Sequence, residues 1–410
     1  MPKQTKSEPT TISADGTKND IFLKNLLARY PQYFDNILKS PDLSGVQIIY
    51  TQIDRAPNYS PVFTDYYFNV NPNRYFYPAS TVKMPIAFLA LEKLNNLKIG
   101  GLDRKTTMIT ETGFDGQTSV YNDPTSEDGR PAIENYIKKI FLTSDNDAYN
   151  RLYEFLGQEY INENLHKKGY KHTQLVHRLQ IPLTEEQNRH TNPIKFFDSD
   201  GKLIYEKPAM HNQQLYPPRH IKLGKGYMEN GKLINEPFDF SKKNRFDLED
   251  LHNILRSVIF PQAIKARQRF NLTEDDYKFL MKCLSQFPSE SVFPQYPDLA
   301  EWDAYCKFIL YGNEKGKLPK HIRIFNKVGD AYGFLSDIAY VADFENNIEF
   351  MLSAVIYCNS DGIFNDDVYD YDSIGFPFMK NLGKVIYEYE LKRVRKSLPD
   401  LSNLRFDYDK

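Results

Sequence analysis

Cysteine is scarce in this sequence. Only Cys283, Cys306 and Cys358 occur among 410 residues. They are too few, too scattered and odd in number to form a disulfide framework or a zinc site. We therefore expect three buried free thiols.

The sequence also lacks an excess of charge of either sign. It holds 52 Lys and Arg against 54 Asp and Glu, which gives a net charge of -2. A nucleic-acid-binding protein would need a basic stripe, so no nucleic-acid partner is expected. The longest apolar run is too short to span a bilayer, so no transmembrane segment is expected.

The two ends of the chain lack apolar periodicity. Residues 1–19 are polar and rich in Thr, Lys, Ser and Asp, which predicts a disordered tail without a signal peptide. Such a tail is compatible with the linker that remains after a signal peptide or lipid anchor is removed, and equally with a frayed terminus. Residues 396–410 are predicted to be a C-terminal tail.

Apolar residues are abundant enough for a large core, at 41% of the chain. Strand patterns cluster near both termini, and helical patterns fill the middle of the chain. The predicted strands are 45–54, 65–69, 323–328, 337–344 and 348–357; the predicted helices are 20–39, 77–97, 132–142, 146–156, 159–167, 247–260, 273–284 and 376–391. We therefore predict an α+β fold with multi-layer αβα architecture: an antiparallel sheet built from both termini, flanking helices and an all-helical lobe.

One catalytic domain is predicted over residues 20–395. Its sheet lobe comprises about 20–75 and 322–395, and its helical lobe about 76–321. Two stretches rich in turn-forming residues, about 195–245 and 285–321, are predicted insertions in the helical lobe.

The most informative stretch runs from Tyr77 to Leu97 and is apolar on nearly every face after Pro85. This pattern is typical of a helix buried inside a large domain. Ser80 and Lys83 stand at its start, three residues apart, so a helix places both side chains on one side. Burial would lower the pKa of the lysine and let it accept the hydroxyl proton. A helix-capping serine beside a solvated lysine is the simpler alternative.

Two further polar groups are compatible with the same chemistry. Ser144-Asp145-Asn146 occurs once, in a break between predicted helices, and Ser144 or Asp145 could simply cap the next helix. Lys327-Val328-Gly329 stands at the end of a predicted strand. A second Ser-x-x-Lys pattern, Ser199 to Lys202, lies in a turn with no helix behind it.

Together these three groups resemble the Ser-x-x-Lys, Ser-Asp-Asn and Lys-Thr-Gly set of class A β-lactamases and penicillin-binding proteins. The resemblance covers about residues 20–395, apart from the insertions. It implies a serine hydrolase that forms an acyl-enzyme on a β-lactam or a related amide or ester, in the periplasm or otherwise outside the cytoplasm. Its partner would be a small-molecule or peptide substrate, and the oligomeric state is left open.

The resemblance assigns a role to each residue of the set. Ser80 would be the acylated nucleophile, Lys83 its base and Ser144 the relay of a proton to the leaving nitrogen. Asn146 would bind the substrate amide and hold Lys83, and Lys327 would offer charge to the substrate carboxylate. Gly329 would border the substrate, and the backbone N–H groups of Ser80 and Asp330 would form the oxyanion hole.

The sequence departs from the family pattern in two places. Val328 stands where the family has Thr or Ser, so a hydroxyl that binds the substrate carboxylate is missing. Class A β-lactamases also carry a Glu on an Ω-loop, with an Asn four residues later, to activate the deacylating water. Glu185 precedes Asn188 by three residues and Glu186 precedes Asn192 by six, so neither glutamate has that spacing. Both remain candidates for the base, against the alternative of two solvated glutamates.

These departures leave three functional hypotheses. The first is a β-lactamase-like serine hydrolase. The second is a penicillin-binding-protein-like D-Ala-D-Ala peptidase or esterase with poor β-lactam turnover, and the third a ligand-binding or sensor module without hydrolysis.

No cofactor is expected. No metal site is expected either, because the eight histidines form no His-x-x-x-His pair on a predicted helix.

Overall fold

The computed structural model describes residues 10–409. At its centre lies a five-stranded antiparallel sheet, whose strands are β1 (Gln47–Arg55), β2 (Pro61–Phe68), β3 (Ile322–Ala331), β4 (Phe334–Asp343) and β5 (Ile348–Tyr357). Their order across the sheet is β3-β4-β5-β1-β2. The first and last parts of the chain therefore meet at the β5–β1 pairing, as the strand pattern predicted.

Apolar side chains cover both faces of this sheet. Alternate residues of a strand point to opposite faces, so Ile49 of β1 joins one buried cluster and Ile48 joins the other. The first cluster lies between the sheet and the helical lobe, and the second lies beneath the N- and C-terminal helices. The multi-layer αβα prediction is confirmed.

Most helices follow the predicted apolar periodicity closely, and two short ones, at Glu185–Arg189 and Phe308–Tyr311, were not predicted. Their bounds are α1 (Ile21–Ala28), α2 (Pro31–Lys39), α3 (Lys83–Leu97), α4 (Ile133–Thr143), α5 (Asn146–Leu156), α6 (Gln158–Lys168), α7 (Glu185–Arg189), α8 (Leu248–Ile259), α9 (Glu274–Ser285), α10 (Phe308–Tyr311, an irregular turn) and α11 (Phe376–Lys392). The predicted helix over 20–39 is divided in two because Pro31 starts a second helix.

The two predicted insertions differ in structure. The first forms short strands, and some pair with distant segments: Ile194–Phe197 lies between Thr107–Thr110 and Leu203–Lys207, and Gly226–Glu229 lies between Lys232–Ile234 and Ile363–Phe364. Two-stranded pairs join Lys222–Leu223 to Phe238–Asp239 and His190–Thr191 to Met210–His211. The second insertion consists of short helical turns at Pro288–Glu290, Pro297–Leu299 and Asp303–Cys306, followed by α10.

The tails are more ordered than their composition predicted. Residues 1–9 lie outside the described part of the chain, but Thr11–Ile12 pairs with Lys18–Asn19 in a hairpin. Lys18 exchanges backbone hydrogen bonds with Val70, with N···O distances of 2.7 and 3.2 Å. Backbone pairing thus orders a segment that carries little apolar surface. At the other end, Tyr408 lies 2.8 Å from the Ser285 hydroxyl and Leu401 is buried.

All three cysteines are buried free thiols, as expected. Within residues 10–409, none of the helices combines the length and the apolar character that crossing a bilayer requires.

Candidate active site

Ser80 lies on a tight turn immediately before α3. The turn, Ala79–Val82, is a 3₁₀-helix that runs directly into α3 at Lys83. Side chains three residues apart eclipse one another in a 3₁₀-helix, and in an α-helix they are neighbours, so a spacing of three sets Ser80 and Lys83 on one side of this junction. Thr81 holds the turn, since its backbone N–H and its hydroxyl both donate to the Pro78 carbonyl, at 3.0 and 2.6 Å. Ser80 is half-buried, and no hydrogen bond of its hydroxyl occurs within residues 10–409.

Lys83 is fully buried, with 0% of its surface exposed. Its Nζ donates to the Ser144 carbonyl and to Asn146 Oδ1, the latter at 2.7 Å. Burial holds the pKa of Lys83 well below its ordinary value, and the nearby charge of Lys327 lowers it further. A lowered pKa favours the neutral amine, which has a lone pair and can receive a proton.

Ser144 connects the two lysines. It ends α4 in a left-handed conformation, with φ of 59°, which turns its side chain back into the site. Lys327 Nζ donates to the Ser144 hydroxyl at 2.8 Å, and Lys83 Nζ lies 3.2 Å from the same oxygen. Lys327 is also buried, which lowers its pKa. The hydroxyl therefore lies on a continuous hydrogen-bonded path between two amines.

The helix-capping alternative applies to Asp145 alone. Its carboxylate accepts the Ala148 N–H at 2.7 Å and caps α5. This cap fixes the first residue of α5, Asn146, whose amide faces the buried amine of Lys83. Capping and site formation are thus performed by adjacent residues.

Gly329 brings the sheet against the turn that carries Ser80. A Cβ at this position would lie 2.8 Å from the Pro78 oxygen and 3.0 Å from both the Thr81 nitrogen and Cγ2. Only glycine permits this approach without a shift of the backbone. Ser336 on β4 donates its hydroxyl to the Gly329 carbonyl at 3.1 Å and holds the strand edge in place.

Val328 and Asp330 point away from Lys327 along the same strand. The Val328 side chain is buried in the apolar cluster beneath α11, on the opposite face of the sheet from the helical lobe. Asp330 is exposed and pairs with Leu335 of β4. The valine at position 328 is therefore a core residue of the sheet.

Gln180 was not among the residues that the sequence pattern singled out. Its Oε1 accepts a hydrogen bond from Asn146 Nδ2 at 2.6 Å. Asn146 thus contacts Lys83 with one end of its amide and Gln180 with the other. Gln180 has a φ of 59°, a conformation that a non-glycine residue adopts only when its surroundings impose it.

One face of α5 imposes that conformation. Asn146, Asn150 and Glu154 are spaced four residues apart and so lie on the same side of the helix. Asn150 exchanges two hydrogen bonds with the Leu179 backbone, at 2.8 and 3.0 Å. Glu154 accepts from Arg178 Nε at 2.9 Å in a buried ion pair. Three successive residues of the loop, 178–180, are therefore each bound by one face of α5.

The structure places Glu185 and Glu186 on other partners. Both belong to α7 and are exposed. Glu185 pairs with Lys242 at 2.5 Å, and Glu186 pairs with Arg189 and two histidines at 3.1 Å. Neither carboxylate hydrogen-bonds Lys83, Ser144 or Asn146. The loop residue that reaches the site is Gln180, five residues before Glu185.

A sequence signal for Gln180 does exist. Asn146, Asn150 and Glu154 are spaced four residues apart, so they form a polar stripe on one side of α5 and indicate that something polar packs against that side. Glu154 pairs with Arg151 on its own helix and with Arg178 of the loop, and Gln180 follows two residues after Arg178. The two glutamates that the family pattern suggested, Glu185 and Glu186, lie further along the same loop.

The chain also matches a described family. The model of the β-lactamase enzyme family matches residues 47–271. This match includes the Ser80 turn, the Ser144-Asp145-Asn146 break and the loop of Gln180. The chain belongs to the β-lactamase enzyme family, as its sequence motifs predicted.

Solved structures of similar fold are distant in sequence. A class A β-lactamase from Clostridium kluyveri is 16% identical, with a TM-score of 0.47 over 87% of this chain and 98% of that chain. A β-lactamase from Sphaerobacter thermophilus is 12% identical, with a TM-score of 0.44 over 88% and 95%. A point mutant of PBP-A, solved as an acyl-enzyme complex with penicillin-G, is 14% identical, with a TM-score of 0.46 over 90% and 96%. No curated protein matches the chain significantly.

Proposed function

We propose that this protein is a serine acyl-transfer enzyme that forms an ester through Ser80 and releases the acyl group slowly. Its substrate would be a β-lactam or a related amide or ester, including a D-Ala-D-Ala peptide. The observation that carries the proposal is the position of Asn146. The same amide that holds the buried Lys83 holds a glutamine on its other side.

The buried amine supports the first step. With its pKa lowered by burial, neutral Lys83 takes the proton of the Ser80 hydroxyl, and Ser80 Oγ attacks the substrate carbonyl carbon. The backbone N–H groups of Ser80 and Asp330 would stabilise the oxyanion, and such a donor contributes about 10²–10³ in rate. When the carbon–nitrogen bond breaks, the Lys83–Ser144 path returns the proton to the leaving nitrogen.

Gln180 supports slow release. Hydrolysis of the ester requires a base to take a proton from water, and an amide oxygen does not accept a proton at neutral pH. Loss of a general base costs about 10²–10⁴ in rate. The acyl-enzyme would therefore persist long after the leaving group has gone.

The charges at the strand edge support an anionic substrate. Lys327 Nζ is directed at Ser144 and lies beside Gly329, where the substrate would bind. Because Val328 points into the sheet core, carboxylate recognition would depend on Lys327 without a hydroxyl at position 328. The family relationship supports the location outside the cytoplasm that the sequence resemblance implied.

Nitrocefin hydrolysis tests the proposal. We expect a burst of one product per enzyme, followed by a slow steady state. Rapid sustained turnover would contradict slow release and indicate an efficient β-lactamase. Turnover of a D-Ala-D-Ala peptide or a simple ester after the same burst would identify the physiological acyl donor.

A further inference from the structure

Two histidines and one glutamate lie close together on the surface, at the end of α7 and on the strand pair that follows it. His190 Nε2 and His211 Nε2 each lie 3.1 Å from the same atom, Glu186 Oε1. The corresponding ligand atoms all lie within 4.8 Å of one another. None of these residues takes part in the proposed acyl transfer.

Two independent backbone arrangements bring the three side chains together. Glu186 and His190 are four residues apart across the end of α7, so their side chains lie on one face of the turn. His190 and His211 are directly opposite each other on paired antiparallel strands. Directly opposite side chains in such a pair have Cβ atoms about 4.5–5.5 Å apart. The backbone therefore fixes the cluster before any side-chain contact is considered.

Neighbouring groups hold each side chain in place. Arg189 donates to the second oxygen of Glu186 at 3.1 Å, and the Gln213 amide lies 2.8 Å from His211 Nδ1. The ring of Phe114 stacks on His190, with centroids 3.6 Å apart. Such supporting contacts fix the orientation of metal-binding side chains.

We propose that Glu186, His190 and His211 bind one divalent transition-metal ion, with zinc as the best match. Two imidazoles and one carboxylate suit zinc, which takes four ligands at about 2.0–2.2 Å in a tetrahedral arrangement. The ion enters where both Nε2 atoms already face Glu186 Oε1. Each bound imidazole then carries its proton on Nδ1, so the Gln213 amide turns over and its oxygen accepts from His211. The His190 and His211 rings, which stack with centroids 4.1 Å apart, tilt so that their Nε2 lone pairs converge on the ion. Water completes the coordination.

The position of the site gives it a structural role. Glu186 and His190 follow Gln180 in the same connection between α6 and the first insertion, and His211 belongs to that insertion. One ion would fasten the insertion to the loop. The positive charge of Arg189 repels the bound metal ion. We therefore expect a lower metal affinity here than at a fully buried structural site.

The sequence expectation of no metal site missed this cluster. That expectation rested on the absence of two histidines four residues apart on one helix. Here the residues four apart are a glutamate on α7 and the histidine that follows it. The second histidine is 21 positions further along and is brought back by the strand pairing.

Titration of the metal-free full chain with Zn²⁺ by calorimetry tests the proposal. We expect one ion per chain, and we expect His211→Gln and Glu186→Gln each to weaken binding at least about tenfold. His220→Gln is the matched control, because His220 is an exposed histidine in the same insertion. Unchanged affinity in His211→Gln, an equal loss in His220→Gln, or no saturable binding would overturn the proposal.

Co²⁺ in place of Zn²⁺ supplies a measurement on the unmodified chain. Intense visible ligand-field absorption, as four-coordinate cobalt shows, is the expected result. A weak spectrum matching aqueous Co²⁺ would overturn the proposal independently of how any variant folds. Neither readout depends on acyl transfer, so failure of the metal site and failure of the proposed function remain distinguishable.

Discussion

Two groups of residues border the site of Ser80, and they differ in the catalytic groups they provide. On one side, Lys83, Ser144, Asn146 and Lys327 form a hydrogen-bonded chain with two buried amines. On the other side, the loop at 178–180 is held equally firmly by α5 but presents an amide instead of a carboxylate. The comparison teaches that rigid placement of a loop and its chemical competence are separate properties. Under the proposed function, the loop has the first property without the second.

The largest expected effect is the loss of acylation when the proposed nucleophile is removed. We expect Ser80→Ala to abolish covalent labelling by a fluorescent penicillin, because no other residue of the chain should be acylated. Circular dichroism and the melting temperature should be unchanged, since Ser80 makes no side-chain hydrogen bond within residues 10–409. Ser199→Ala, in the second Ser-x-x-Lys pattern, is the matched control and should label normally. Undiminished labelling of Ser80→Ala would remove the basis for the acylating side.

A second substitution would give the loop the carboxylate that it lacks. Gln180→Glu adds a carboxylate at the end of the Asn146 amide, and we expect release of the acyl group to accelerate by about 10²–10⁴-fold. The measurement is the decay of the labelled species after excess penicillin is removed. Glu185→Ala should leave that decay unchanged, because Glu185 pairs with Lys242. If Glu185→Ala slows release and Gln180→Glu does not alter it, the base would have to be Glu185.

The pH dependence of acylation sharpens the contrast between the two lysines. Burial lowers the pKa of both Lys83 and Lys327 below the ordinary 10.5, and it lowers that of Lys83 strongly. Below its lowered pKa, Lys83 is protonated and cannot act as a base, so the rate should rise about tenfold per pH unit there. It should fall again where Lys327 loses its charge. Stopped-flow acylation measures this profile, and a single rise near 10.5 would refute a neutral Lys83.

The smallest expected effect concerns the contact between sheet and turn. Gly329→Ala places a methyl group 2.8 Å from the Pro78 oxygen, so the strand and the Ser80 turn must separate. Overpacking of this kind costs about 1–3 kcal/mol of unfolding free energy, and we expect acylation to slow as well. Gly100→Ala is the control, because a Cβ there meets no atom within 4 Å. Equal stability and equal acylation rates for the two variants would show that the close approach is unimportant.

The apolar pattern predicted most of the fold. Long apolar runs mark both the ten-residue strand β5 and the nearly all-apolar α3. The bounds of β5 match the prediction, whereas α3 begins at Lys83, six residues after the predicted start, because the turn that carries Ser80 precedes it. The hairpin at 11–19 was missed because backbone hydrogen bonds to Val70 order it, and polar composition does not report such bonds. No helix or strand was predicted over residues 171–194, yet this stretch contains α7, which begins at a capping box formed by Thr184 and Gln187.

The site was predictable where its signal is local. Ser80 and Lys83 are three residues apart, and Ser144 and Asn146 are two apart, so short spacings place them together. Gln180 was missed because its position depends on long-range pairing of residues 178–180 with α5. The buried orientation of Val328 likewise depends on strand register, which fixes the face that each side chain takes.

Intact-mass spectrometry of the wild-type chain with a penicillin tests the central claim most directly. We predict a single adduct of one penicillin per chain, located by peptide mapping on the segment that contains Ser80 and still present after the free drug is removed. Absence of an adduct, its immediate loss, or its location on another serine would contradict the account.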